Sequence, residues 1–138
     1  MKSEVFLDTS GFYALLAKED DRHAQAAAYL ERAAGARTRF VTTDYVLDET
    51  ATLLKARGRS GLLVPFFDRV FASKSCRVVW TDAERFHQTR AFFLKHRDQS
   101  WSFTDCLSFC VMRECHSREA LTKDAHFRAA GFLALLAA

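Results

Sequence analysis

Short apolar runs rich in β-branched and aromatic residues recur along this chain at 4–7, 39–42, 76–80 and 119–121, with a weaker one at 132–136. Between them lie segments whose apolar residues fall at helical spacing: 11–17, 23–34, 45–57, 60–73, 83–96, 103–116 and a short turn at 125–130. Strand alternates with helix throughout. The strand runs are continuously apolar, as expected of strands covered on both faces, and the long helical connections suit parallel pairing. The pattern predicts an α/β fold, a three-layer α/β/α sandwich around a central, mostly parallel sheet of four to five strands. The second gap holds two helical segments, with Gly58 and Gly61 framing the break. A helical hairpin projecting beyond the sheet, a candidate partner surface, is expected there.

Size fits a single domain spanning 1–138. One Pro and five Gly leave no room for a flexible linker. The N-terminal apolar run is too short for a signal peptide, and no apolar stretch approaches the ~18 residues of a membrane span, so a soluble, cytoplasmic protein with no membrane partner is expected. Cys76, Cys106, Cys110 and Cys115 form no C-x-x-C pair, and Cys106 and Cys110 fall four apart in an apolar helical pattern; reduced core thiols are expected. Of the 20 cationic residues 14 are Arg, against 17 acids, for a formal charge of +3. That excess grows in meaning only if several acids are committed to a metal, because the remaining surface is then more basic than the sum.

Open parallel sheets bind ligands at the carboxyl ends of their strands, and acids gather at those ends here. Asp8 ends the first run in "VFLDTSGFYALL". Glu49 lies about one turn inside the helix after the second, in "VTTDYVLDETATLL". Asp105 opens a helix in "WSFTDCLSF", and Asp124 follows the fourth run in "EALTKDAHF". Any one of these could be a helix cap or dipole partner. Glu49 and Asp105 are the more telling, because Val46, Thr50 and Leu53 flank the first at helical spacing and Leu107, Phe109 and Met112 surround the second. Asp44, read as an N-cap, and Asp48, read as solvent-facing, stay outside the set.

Four converging carboxylates without counter-charge raise one another's pKa and destabilise the fold, a conflict that a hard divalent cation resolves. An all-oxygen set matches Mg²⁺ or Mn²⁺ better than zinc. Such an ion activates water and stabilises displacement at a phosphodiester. Asp8 is then the central ligand, with Ser10 and Thr104 as hydroxyls that orient water or carboxylates.

"LDTS", Glu49 in "VLDETATLL", Asp105 in "FTDCLSF" and Asp124 in "LTKDAHF", in this order and spacing, resemble a PIN-domain ribonuclease, and the size resembles the VapC toxins of toxin–antitoxin pairs. The resemblance covers nearly the whole chain. It implies metal-dependent endonucleolytic cleavage of RNA, a homodimer, and neutralisation by a small antitoxin whose tail occupies the cleft. Cys106 departs from the pattern, since small residues such as Ala are frequent there.

Other Asp-bearing α/β folds fit less well. A haloacid-dehalogenase-type phosphatase needs a second Asp where Ser10 stands. A receiver domain pairs acids after its first strand, where Asp8 is alone, although Lys123 matches its late Lys. No Walker or Gly-x-Gly-x-x-Gly motif is present. The alternative that remains is a non-catalytic PIN-like module that binds RNA or a partner. Arg57 and Arg59, with Arg37 and Arg39, are candidates along the approach to the cleft, although an Arg on a helix is ordinarily a solvated face. His23 and His126 are read as capping or packing groups. The apolar stretches "SGFYALLA" and "LLVPFFDRVF" exceed what one small core needs, which predicts a homodimer that also binds a partner tail.

Overall fold

The structure, a computed structural model, describes residues 4–137. Strand β1 (Val5–Leu7) leads into helices α1 (Thr9–Leu16) and α2 (His23–Gly35). Strand β2 (Phe40–Thr43) follows, then α3 (Asp44–Ala56), a 3₁₀ turn (Ser60–Leu62) and α4 (Leu63–Ala72). The chain continues through β3 (Cys76–Val79), α5 (Ala83–Lys95), α6 (Phe103–Glu114), β4 (Glu119–Leu121), α7 (Ala125–Ala129) and β5 (Leu133–Ala134). The five strands form one sheet in the order β3-β2-β1-β4-β5, and every neighbouring pair is parallel. Among the described residues no helix is long and apolar enough to cross a membrane.

Side-chain alternation along the central strand separates the two outer layers. Phe6 packs on Phe127 of α7 (ring centroids 6.2 Å apart), which meets Phe109 of α6 edge-on at 5.0 Å. Leu7 points the other way, toward Phe12 of α1 and Phe66 of α4, whose rings meet edge-on at 5.2 Å. Both faces of the sheet are thus covered, which is why its strands read as unbroken apolar runs.

The expected 60–73 helix is instead a 3₁₀ turn followed by α4. Pro65 has no N–H and clashes with a preceding turn, so an α-helix tolerates it only near its start. Gly58, at φ 71°, closes α3 in the left-handed region where a side chain is costly. Helix α1 starts at Thr9, two residues before the expected 11, so Ser10 lies in its first turn. A side chain at Gly11 would bring its Cβ within 2.0 Å of the Leu121 carbonyl oxygen. Only glycine lets α1 lie this close to the end of β4. All four cysteines are free, and burial pushes the thiols of Cys76 and Cys106 up to about 11, so they are poor ligands and nucleophiles at neutral pH.

Candidate active site

The parallel winding brings β1, β2 and β4 to one edge, where β1 passes directly into α1. Asp8 sits at that junction, its backbone extended (φ −96°, ψ 167°) and its carbonyl accepting the Phe12 N–H at 3.0 Å. The residue is only 5% exposed. One carboxylate oxygen, Oδ2, accepts the Thr122 hydroxyl at 2.7 Å and the Ser10 hydroxyl at 3.5 Å. Among the described residues no Lys or Arg pairs with it. Burial is the main reason its pKa is pushed up to about 7; the Thr122 hydroxyl and the Thr9 amide pull it down, while the charges of Asp105 and Glu49 push it further up.

The other three acids share a pattern with Asp8. Glu49, one turn and a half into α3, accepts the Thr9 hydroxyl at Oε1, 2.7 Å away. Asp105 accepts the Ser102 amide (3.2 Å) at Oδ2, closing a capping box at the start of α6, and the same oxygen meets His126 Nδ1 at 3.0 Å. Burial, first, raises the Asp105 pKa, which the His126 bond opposes and the charge of Asp124 reinforces. Asp124 caps α7, its Oδ1 accepting the His126 amide at 2.8 Å. In all four residues one carboxylate oxygen is thereby held by donors, and the second has no side-chain partner among the described residues. Asp8, Glu49 and Asp124 line one cleft of about 180 Å³. Asp105 joins from behind: ligand atoms of Asp105, Asp124 and His126 lie within 4.8 Å of one another.

Ser10 is drawn into the same cluster, 3.0 Å from the Thr122 hydroxyl and accepting the Lys123 amide at 2.8 Å. Thr104 is not: only its carbonyl is engaged, by Ser108 at 2.9 Å, and its hydroxyl makes no hydrogen bond among the described residues. Glu49 is exposed even though Val46 and Thr50 beside it are buried, so its helical face is a margin of the core rather than part of it. Asp44 is not the N-cap of α3. Thr43 is, accepting the Val46 amide at 3.1 Å, while the Asp44 carboxylate holds the Thr81 amide and hydroxyl at 3.0 and 2.7 Å. Asp48 faces solvent, as expected. His23 is a packing group, its Nδ1 2.8 Å from the Ala14 carbonyl oxygen. His126 is more than that, since its ring nitrogen stands between Asp105 and Asp124, the second at 3.4 Å.

Three residues that hydrogen-bond the acids carried little signal in the sequence. Thr9 and Thr122 are single hydroxyls at strand ends, and His126 follows Asp124 at a spacing that also suits a cap. Thr122 holds both Asp8 and, through its oxygen, the Asp124 amide at 3.0 Å. The donor chemistry fits a hard divalent cation. Among the described residues the buried Asp8 carboxylate has only neutral hydrogen-bond partners, and each acid has one oxygen without a side-chain partner.

The PIN-domain family model matches residues 5–133. The 23S rRNA-specific endonuclease VapC20 of Mycobacterium tuberculosis, in strains H37Rv and CDC 1551, is 34% identical over 131 residues, 94% of this chain and 95% of the relative. The crystal structure of Mycobacterium tuberculosis VapC20, described as a sarcin–ricin loop cleaving toxin, superposes with a TM-score of 0.81 at 31% identity, covering 94% of this chain and 97% of that one.

Proposed function

The chain belongs to the PIN-domain family, in its VapC-type branch, and from that premise we propose that it is a metal-dependent endoribonuclease acting as the toxin of a toxin–antitoxin pair. The observation that carries this reading is the set of four acids at one sheet edge, each with one oxygen held by donors and the other without a side-chain partner among the described residues. Asp8, Glu49, Asp105 and Asp124 are the proposed ligands of Mg²⁺ or Mn²⁺. When bound, the ion lowers the pKa of a water and neutralises charge developing on the phosphoryl oxygens. Thr122, Thr9 and Ser10 fix the carboxylate rotamers by donating to them, and His126 holds Asp105 from behind. Thr104, next to Asp105 and with no protein partner for its hydroxyl among the described residues, is the proposed hydroxyl that would orient water.

The relative's name supplies the substrate hypothesis: a ribosomal RNA loop. Hydrolysis would place water's oxygen on the phosphorus and break one phosphoester bond, leaving a phosphate on one fragment and a hydroxyl on the other. Incubating purified ribosomes with the protein and Mn²⁺, then mapping breaks by primer extension, is expected to give one dominant cut in 23S rRNA. Uniform degradation, or no cut in any RNA, would remove this substrate assignment.

Two surfaces support the proposed protein partners. Besides the acidic cleft in which the resemblance places the antitoxin tail, an apolar groove of about 400 Å³, lined by Leu15, Leu16, Leu30, Phe66 and Val70, suits an apolar segment of that partner. "SGFYALLA" is thus divided: Phe12, Tyr13 and Ala14 are buried, and Leu15 and Leu16 line this groove. From "LLVPFFDRVF", Val64, Phe67 and Phe71 remain exposed, Phe71 stacking on exposed Trp80 at 6.4 Å, and this row is the proposed homodimer surface. Phe71→Glu is expected to convert a sedimenting dimer to monomer; an unchanged sedimentation coefficient would reject that surface.

A further inference from the structure

Two cations line the cleft that holds Asp8 and Glu49, and they differ in what binds them. Lys123 is committed, its Nζ lying 3.0 Å from carboxylate oxygens of both Asp20 and Asp21. Arg59, two residues beyond the other cation, is ion-paired with Glu19. Arg57 has no carboxylate partner among the described residues, and its guanidinium donates no hydrogen bond there. It is held instead over the ring of Tyr13, its central carbon 4.6 Å from the ring centroid. Tyr13 is buried, so the ring is a fixed platform. Contact with an aromatic face restrains a guanidinium without using its in-plane N–H donors, which remain available in the fork geometry that matches a phosphate.

We propose that Arg57, held over Tyr13, is the phosphate-binding residue that seats the RNA backbone in the cleft, with Tyr13 as its positioning residue. The two residues occupy the junction of α1 and the C-terminal end of α3, so the aromatic contact also sets where the fork lies relative to Asp8 and Glu49. One face of the cleft is acidic, suited to a cation, and the Arg57 side supplies the positive charge that draws in a polyanion. The proposal rests on the RNA-cleaving reading above.

The test is cleavage of a synthetic sarcin–ricin stem-loop in Mn²⁺ by the full chain and its variants. Arg57→Ala is expected to raise KM about tenfold with kcat within about twofold of wild type. In an Asp8→Asn background, which binds without cutting, Arg57→Ala is expected to reduce the slope of log affinity against log salt by about one. Arg57→Lys should recover only part of the lost affinity, because it keeps charge but not the fork. Tyr13→Leu should reproduce the KM defect and Tyr13→Phe should restore it, whereas a merely structural ring would give neither pattern. The melting-temperature rise on adding Mn²⁺ should be the same in Arg57→Ala as in wild type. Cleavage by Arg57→Ala with wild-type KM and salt slope overturns the proposal alone. So does loss of its Mn²⁺ response, which would make Arg57 a support of the metal site. Absence of cleavage by wild type overturns the RNA-cleaving reading and the proposal with it.

Discussion

Asp8→Asn is expected to lower RNA cleavage about a thousandfold, in line with the several kcal/mol a bound cation contributes to such a reaction, and to raise the melting temperature of the metal-free protein at pH 7. Both effects have one cause. Asp8 is buried beside Asp105 and Glu49 with only neutral donors, and its pKa stands at about 7 rather than 3.8. A group whose folded pKa is raised stabilises the native state fully below its unfolded pKa, and that stabilisation is lost as pH rises through the folded value. Metal-free wild type should therefore lose stability between about pH 4 and about pH 7, by about 4 kcal/mol from this group. Asp105, also raised, adds in the same direction. The substituted amide has no charge to bury and keeps an oxygen for the Thr122 hydroxyl, so the variant should lack the Asp8 part of the slope. At pH 7 the difference corresponds to a melting temperature higher by roughly 10 °C. Mn²⁺ at a hundredfold excess over its Kd should add about 2.7 kcal/mol to wild type and much less to the variant. A variant that melts below metal-free wild type and keeps the Mn²⁺ response would make Asp8 a structural cap.

Gly11→Ala is expected to be the most damaging single-methyl change near the site. On propensity alone it should help, since Ala is favoured over Gly inside a helix by about 1 kcal/mol. The added Cβ, however, would lie 2.0 Å from the Leu121 carbonyl oxygen and 2.8 Å from its carbon, which are backbone atoms that no rotamer change can move. Helix α1 must retreat from β4, and Ser10, which meets Thr122 at 3.0 Å and the Lys123 amide at 2.8 Å, retreats with it. Overpacking of this kind costs about 1–3 kcal/mol, and a displacement near 1 Å at reacting groups lowers kcat by about a hundredfold. Urea melts read by fluorescence, with m unchanged, together with kcat on the same preparation check both. A more stable, fully active Gly11→Ala protein would show that the approach of α1 to β4 is not what sets the site.

The α/β alternation was legible because both faces of the sheet are covered, and the five strands, all parallel, fall within the mostly parallel sheet of four to five that the pattern predicts. The boundaries were less legible where one residue overrides periodicity. Pro65 splits the 60–73 segment, and the immediate turn from Leu7 to Thr9 starts α1 before its apolar spacing begins. In the site, acids at strand ends could be found because a carboxylate in an apolar neighbourhood is conspicuous. The neutral groups that hold them could not. Thr122 and Thr9 look like any β-branched residue at a strand end, and only the β1–β4 pairing brings Thr122 to Asp8 across 114 residues. Thr104 shows the converse: being next to Asp105 in sequence does not tie its hydroxyl into the hydrogen-bonded acid cluster, because successive residues of a helix point in different directions. Arg57 was one of four candidate cations; its place in the acidic cleft over Tyr13, with Arg59 paired to Glu19 and Arg37 and Arg39 lining a separate depression, was invisible in sequence.

On this reading the acid cluster cuts RNA only with a divalent cation bound. Single-turnover cleavage of a 5′-labelled sarcin–ricin stem-loop by wild type and Asp8→Asn, each in Mn²⁺ and in EDTA, tests it most directly. Product is expected only for wild type in Mn²⁺, with the other three reactions at background. Cleavage by wild type in EDTA, or by Asp8→Asn at the wild-type rate in Mn²⁺, would contradict it.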